Sequence, residues 1–308
     1  MSLLVVGSMA IDSVETPFGK RPEALGGSAT FFSMSAALLS PVRLVAVIGQ
    51  DFPEEHVQML KERRIDLQGL ERVPGGKTFR WAGKYGDNLN EAITLDTQLN
   101  VFADFKPRLP EHFRDTPYVF LANIHPKLQL EVLEQVRSPK LVGLDTMNLW
   151  INHERAALLE VLKRIDCLTL NETEAKLLSG ESNVAKAARA IRSMGPKVVV
   201  VKRGEYGALY FDQTHIFHAP AYPLEQVFDP TGAGDTFAGG MMGYLARTGG
   251  TDAAHFRQAM IMGCVLGSFT VEAFSVDRLK TVTGTELKKR FKLFRAMTHF
   301  EDLPEDFA

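Results

Sequence analysis

Asp229-Pro230-Thr231-Gly232-Ala233-Gly234-Asp235 runs straight into Thr236-Phe237-Ala238-Gly239-Gly240-Met241-Met242-Gly243-Tyr244-Leu245. Pro230 forbids a helix through the first stretch, and two glycines allow a tight turn with exposed backbone. The small and apolar run that follows reads as a buried helix. The unpaired N–H groups of a helix start carry partial positive charge and suit phosphate. A carboxylate in the same turn is out of place for simple anion binding, because Asp235 would repel the ligand. It fits if Asp235 removes a proton from a nucleophile attacking phosphorus.

The surrounding composition is that of an ordinary globular protein. Among 308 residues, 45% are hydrophobic and 23% charged, enough apolar side chains for a sizeable core. A net charge of -2 gives no reason to expect nucleic acid or an acidic membrane surface as a partner. Cys167 and Cys264 sit among apolar neighbours and read as buried thiols in a reducing compartment. The first residues lack the basic region of a signal peptide, and no window approaches the roughly 20 apolar residues of a membrane helix. A cytoplasmic location is expected.

Leu3 to Val6 reads as a buried strand ending at Gly7, with Asp12 close behind it, where open α/β sheets place their ligands. A turn aspartate is the equal alternative for Asp12. Gly26-Gly27 opens a helix to about Ser40, Val42 to Gly49 is a second strand, and Pro53 to Arg64 fits a helix. This βαβα order argues for a parallel sheet. Between Leu67 and Val101 short strands surround Gly86-Asp87-Asn88, which reads as a small antiparallel sheet serving as a lid. Gly75-Gly76-Lys77-Thr78 is not a P-loop, since Glu71 stands where the first glycine is required.

The alternation resumes with strands at Tyr118–Leu121, Leu141–Leu144, Cys167–Leu170 and Lys197–Val201, and with helices between them, including one over His153–Arg164. Tyr206 to Ala219 reads as a hairpin, whose His215 and His218 face opposite sides and make a poor metal pair. Two further helices, around Ala253–Val271 and from Thr285 to about Met297, close the chain. Asn171-Glu172-Thr173-Glu174 stands after a strand and opens a helix; capping alone explains it, and so does a Mg²⁺–phosphate site leaning on carboxylates. Lys202-Arg203-Gly204-Glu205-Tyr206-Gly207 either passes close to a nucleotide or is a hairpin with glycine turns. A dinucleotide fingerprint is absent, because Phe237 occupies the place of the third glycine.

Asp229 to Asp235 followed by Thr236-Phe237 resembles the C-terminal signature of the ribokinase-like, or PfkB, carbohydrate kinase family. Gly26-Gly27 resembles its other signature, and Asn171 with Glu174 its Asn-x-x-Glu element. Motif order and the inserted strands match over nearly the whole chain. The resemblance implies one ribokinase-like three-layer α/β/α domain over residues 1–308, with a small β-sheet lid from segments near 9–25 and 67–101. It also implies transfer of the ATP γ-phosphate to a substrate hydroxyl. Asp235 then becomes the catalytic base, and Gly232, Ala233 and Gly234 the anion hole. Asn171 and Glu174 help organise Mg²⁺ and phosphate, Glu174 through water. Asp12, Gly26, Gly27, Asn123 and Asp145 fall to the substrate, while Lys202, Gly204 and Gly207 line the nucleotide site. Many members use a monovalent cation near the anion hole. Asp229 and Thr231 fit that loop, but Ala273–Ser275 diverges from it. Lids of this family either close alone or are shared across a homodimer.

One departure bears on the acceptor. Ribose- and fructose-using members carry an asparagine where this chain has Phe31, and a ring cannot satisfy a sugar hydroxyl. Phe31 therefore either packs against a ring of the substrate or belongs to the core. Asp145 and Asn148 resemble an Asp-x-Asn element, without the arginine that often follows it. The expected activity is phosphorylation of a small sugar-like substrate. The alternatives are a nucleoside (adenosine-type) or inositol kinase and, behind them, a catalytically silent ligand binder.

Overall fold

The computed structural model describes residues 1–303. From the N-terminus, β1 (Leu3–Val6) leads to a hairpin of β2 (Ala10–Thr16) and β3 (Gly19–Gly26), then to helix α1 (Ser28–Ala36). β4 (Val42–Gly49), α2 (Glu54–Glu62) and β5 (Asp66–Val73) precede a second hairpin, β6 (Phe79–Tyr85) and β7 (Ala92–Gln98). Next come β8 (Tyr118–Leu121), α3 (Pro126–Gln135), β9 (Leu141–Asp145), α4 (Asn148–His153) and α5 (Arg155–Leu162). They are followed by β10 (Cys167–Asn171), α6 (Glu172–Ser179), α7 (Val184–Arg192), β11 (Val198–Lys202), β12 (Ala208–Phe211) and β13 (Ile216–Ala219). Helices α8 (Ala233–Thr248), α9 (Ala253–Thr270) and α10 (Gly284–Thr298) complete the described chain.

Strands such as Leu3-Leu4-Val5-Val6 and Val198-Val199-Val200-Val201 are apolar on both faces, which only a sheet covered on both sides can accommodate. Nine strands form that sheet in the order β13-β12-β11-β10-β9-β8-β1-β4-β5. Neighbours from β11 through β5 run parallel; β12 and β13 are antiparallel. Successive side chains face opposite layers. Leu3 and Val5 join the core beneath α1, α2, α8, α9 and α10, whereas Leu4 and Val6 join the one beneath α3 to α7. The result is a three-layer α/β fold. The chain runs outward from β1 to β4 and β5, then returns to β8 on the other side of β1. A strand-order reversal of this kind opens a crevice at the carboxyl ends of the strands, where such sheets bind ligands.

A separate four-stranded sheet, β3-β2-β6-β7, stands over that edge. Asp66–Val73 is not part of it, contrary to the expectation of a lid segment from residue 67: this strand pairs in parallel with β4 at the rim of the large sheet. The short α2 crossover returns the chain beside β4. The mixed sequence Asp66-Leu67-Gln68-Gly69-Leu70-Glu71 suits an edge strand half open to water. The helix expected over His153–Arg164 is broken at Glu154, whose backbone (φ -126°, ψ 30°) separates α4 from α5. Among the described residues, no helix is long and apolar enough to cross a membrane.

Helix α8 carries the opening motif and lies directly on α1. A Cβ on Gly239 would stand 2.3 Å from the Phe32 carbonyl oxygen, and one on Gly243 would stand 3.1 Å from Ala36 Cα. The approach is backbone to backbone, so nothing flexible can yield. Gly239→Val should therefore destabilise the protein by about 2–3 kcal/mol, lowering Tm by roughly 3–5 °C in thermal unfolding. An unchanged Tm would mean that the two helices are not in register as described.

Candidate active site

The turn into α8 is fixed from below. Asp229 is 1% exposed, and its carboxylate accepts from Thr231 N–H and Ser275 N–H, both at 2.9 Å. Gly232 is left-handed at φ 73°, and a Cβ there would stand 2.3 Å from the Phe31 ring. A side chain at position 232 is thus excluded twice. Ala233 N–H donates back to the Pro230 carbonyl (3.1 Å), and Asp235 sits in the first turn of the helix. Burial pushes the Asp235 carboxyl up to about 7, with Asp145 adding to the rise and Lys202 opposing it.

Three neighbouring parallel strands bring Asp145, Asn171 and Lys202 to the same sheet edge, at the ends of β9, β10 and β11. Lys202 reaches past β10 to pair with Asp145, Nζ to Oδ2 at 2.6 Å. A Cβ on Gly234 would stand 3.1 Å from the same Nζ, so the ammonium lies against the start of α8. Burial works against that charge, but Asp145 and Glu174 outweigh it and hold the ammonium above its ordinary value. Asn171 and Glu174 form a capping box. Asn171 Oδ1 accepts from Glu174 N–H at 2.8 Å, and Glu174 Oε2 accepts from Asn171 N–H at 2.7 Å. Burial pushes Glu174 up to about 7, with Lys202 opposing and Asp145 adding.

Across the cleft, Asp12 lies on β2 and is 4% exposed. A Cβ on Gly26 would stand 1.8 Å from Asp12 Oδ2, so the first glycine of the pair makes room for this carboxylate. Burial raises Asp12 from 3.8 to about 8; the Gly27 N–H opposes the rise, and Asp229 and Asp235 add to it. Its Oδ1 is buried with no hydrogen-bond partner among the described residues. An unpartnered buried oxygen is uncommon in a folded protein. Thr231 Oγ1 donates to the hydroxyl of Tyr85 (3.2 Å), joining β6 to the signature turn. Burial pushes that phenol up to about 12.

Asn123 follows β8. Its Oδ1 accepts from Trp150 Nε1 at 2.8 Å, and its Nδ2 points at Met147 Sδ at 3.1 Å. Gly204 and Gly207 are both left-handed, at φ 55° and 82°. Together with Gly234 and Phe237 they line a cavity of about 600 Å³ that Tyr222 and Ser268 bound on another side. Phe31 is not brought to an open surface. It is 2% exposed, in the core with its ring under Gly232, which favours the second of its two readings. Asn148 opens α4 and is exposed. Cys167 and Cys264 are both buried free thiols.

The sequence and the three-layer fold have known counterparts. The profile of the pfkB family carbohydrate kinases matches residues 3–281. The chain belongs to that family. It is therefore a kinase, a phosphotransferase acting on a hydroxyl group. A cytidine kinase from Thermococcus kodakarensis is 33% identical over 254 residues, covering 80% of this chain and 89% of the relative. A deoxyribokinase from Salmonella typhi is 25% identical over 273 residues, covering 82% and 89%. Among solved structures, an aminoimidazole riboside kinase from Salmonella enterica, complexed with aminoimidazole riboside and an ATP analog, superposes with a TM-score of 0.76. It is 20% identical and covers 94% of this chain and 100% of its own.

In this pfkB kinase the pairing of Lys202 with Asp145 is not legible in the sequence, because the two residues are 57 positions apart on strands that flank β10. The Tyr85–Thr231 link and the Trp150–Asn123 bond escape for the same reason. The buried acids carry a measurable consequence. Folding holds Asp12 protonated at pH values where the unfolded chain has released that proton, so its contribution to stability is lost as pH rises from 3.8 towards about 8. Asp12→Asn removes this loss. Its Tm without ligand should gain on the wild type as pH rises, by at least about 3 °C between about pH 4 and pH 8. Parallel melting curves across that range would contradict the burial of an ionisable Asp12.

Proposed function

We propose that this kinase phosphorylates a hydroxyl of a ribonucleoside with ATP as donor, and that cytidine heads the candidate acceptors. The observation that carries the reading is the acceptor end of the cleft. An unpartnered buried oxygen, Asp12 Oδ1, suits a substrate hydroxyl, while the amide that reads a simple sugar is replaced by the buried Phe31. Trp81 stands opposite Asp12 in the β2–β6 register and supplies an apolar face for a base. The cytidine kinase relative supports the same direction.

In this reading Asp235 accepts the hydroxyl proton as the oxygen attacks the γ-phosphorus. Since Ala233 N–H is engaged with Pro230, the anion hole rests on the backbone of Gly232 and Gly234, with the α8 dipole behind it. Lys202, packed against Gly234, adds a fixed positive charge beside the same turn. Asp145, Glu174 and Asp235 leave this end of the cleft with more negative than positive charge, a donor set that fits a hydrated Mg²⁺ arriving with the nucleotide. Glu174 would hold that ion through water, and when bound it neutralises charge on the ATP phosphates. Asn171 fixes Glu174 by the capping box. The 600 Å³ cavity beyond Gly204 and Gly207 would take the nucleoside half of ATP.

Asp235 must be ionised to act as a base, so kcat/KM should rise with pH through about 7 and level off above it. Asp235→Asn should lower kcat by on the order of 10²–10⁴ and lose that pH dependence, with ADP binding retained. Near-normal turnover in the variant would remove Asp235 from its role. Acceptor class is resolved by thermal shift and ADP release with cytidine, other nucleosides, ribose, deoxyribose, fructose and inositol. A ligand at 100 times its Kd stabilises by about 2.7 kcal/mol, so cytidine or another ribonucleoside should give the largest rise in Tm. A response confined to free sugars or inositol would overturn the nucleoside reading and leave the kinase intact.

A further inference from the structure

The β6–β7 hairpin belongs to the sheet over the acceptor end, yet its tip lies elsewhere. Asp87, Asn88, Leu89 and Asn90 line the same 600 Å³ cavity as Gly204, Gly207 and Gly234. The contact is close: a Cβ on Gly204 would stand 1.7 Å from Asn90 Oδ1, so the asparagine lies directly on that glycine. Asn88 Oδ1 accepts from Asn90 N–H (3.1 Å), which fixes the tip in an Asx turn. The base of the hairpin is held by the β6–β7 ladder, where Tyr85 faces Ala92, and by the bond from Thr231 to Tyr85.

We propose that this tip is a wall of the nucleotide site, with Asn90 and Asp87 as nucleotide-contacting residues; the inference rests on the kinase reading of that cavity. With Asn90 Oδ1 against Gly204, its NH₂ group is left to donate to an oxygen of the nucleotide. Asp87 is an acceptor only and would repel phosphate, so it suits a ribose hydroxyl. Together they place the ribose, rather than the phosphate tail, under the tip. One hairpin then touches both reactants, the acceptor through the Trp81 and Tyr85 end and the donor through Asn90. Ordering the tip with one ligand favours the sheet position that binds the other, and such a coupling acts equally in both directions.

The test uses the full chain with ADP and Mg²⁺ and no acceptor. Asn90 and Asp87 are exposed, so Asn90→Ala and Asp87→Ala should keep the wild-type Tm without ligand. Their Kd for ADP by calorimetry should weaken by roughly 5- to 20-fold, as expected for the loss of one or two hydrogen bonds. In the wild type, saturating ADP should slow hydrogen exchange at the amides of residues 87–91. Wild-type ADP affinity in both variants, with exchange at the tip unaltered by ADP, would overturn the proposal while leaving the kinase reading in place. Failure of the wild type to bind ADP at all would remove both.

Discussion

A buried carboxylate holds this molecule's working parts together. Asp229 gives its oxygens to the N–H groups of Thr231 and Ser275, and Ser275 Oγ donates to the Leu25 carbonyl at 2.5 Å. One side chain thereby ties the turn into α8 to the segment after α9 and to the end of β3. Burial raises the Asp229 carboxyl, so the clamp works against a desolvation cost, and the bonds from backbone and side chain lower that cost. The position of Asp235 depends on this clamp, since only Pro230, Thr231 and Gly232 separate Asp229 from the helix that carries it.

Around that turn, like charges set the chemistry. Asp12 and Asp235 are raised by burial and by other carboxylates, and Glu174 by burial and Asp145, with Lys202 as the cation set among them. A cleft of this kind is strained electrostatically until hydroxyl donors and cations enter it. The residues proposed to receive ligands are ones that lower the stability of the empty protein, the usual exchange of stability for function.

Local chemistry was readable along the chain. Valine- and leucine-rich runs gave most strands of the central sheet, because a run apolar on both faces has few other places to go. The proposal of Asp235 as a base was legible because a carboxylate in a glycine turn at a helix start demands a reason. Asp66–Val73 was misplaced since its mixed polarity suits an edge of either sheet, and pairing with β4 is decided by the path of the crossover. Phe31 stood between two roles that only packing separates: its ring fills the space under Gly232. The Lys202–Asp145 pair and the reach of Asn90 to Gly204 join distant parts of the chain, so periodicity carried no sign of them.

The bare flank of α8 has a further meaning for how this protein can change. Gly239 and Gly243 meet α1 backbone to backbone, and a Cβ on Gly240 would stand 2.9 Å from Leu266 on α9. Where a helix is pressed on two sides without side chains, a larger residue has no room, so these positions are mutationally frozen. Every residue of β7, by contrast, is exposed. Substitutions can therefore accumulate by drift in the small sheet, one at a time, while the packed faces of α8 stay as they are.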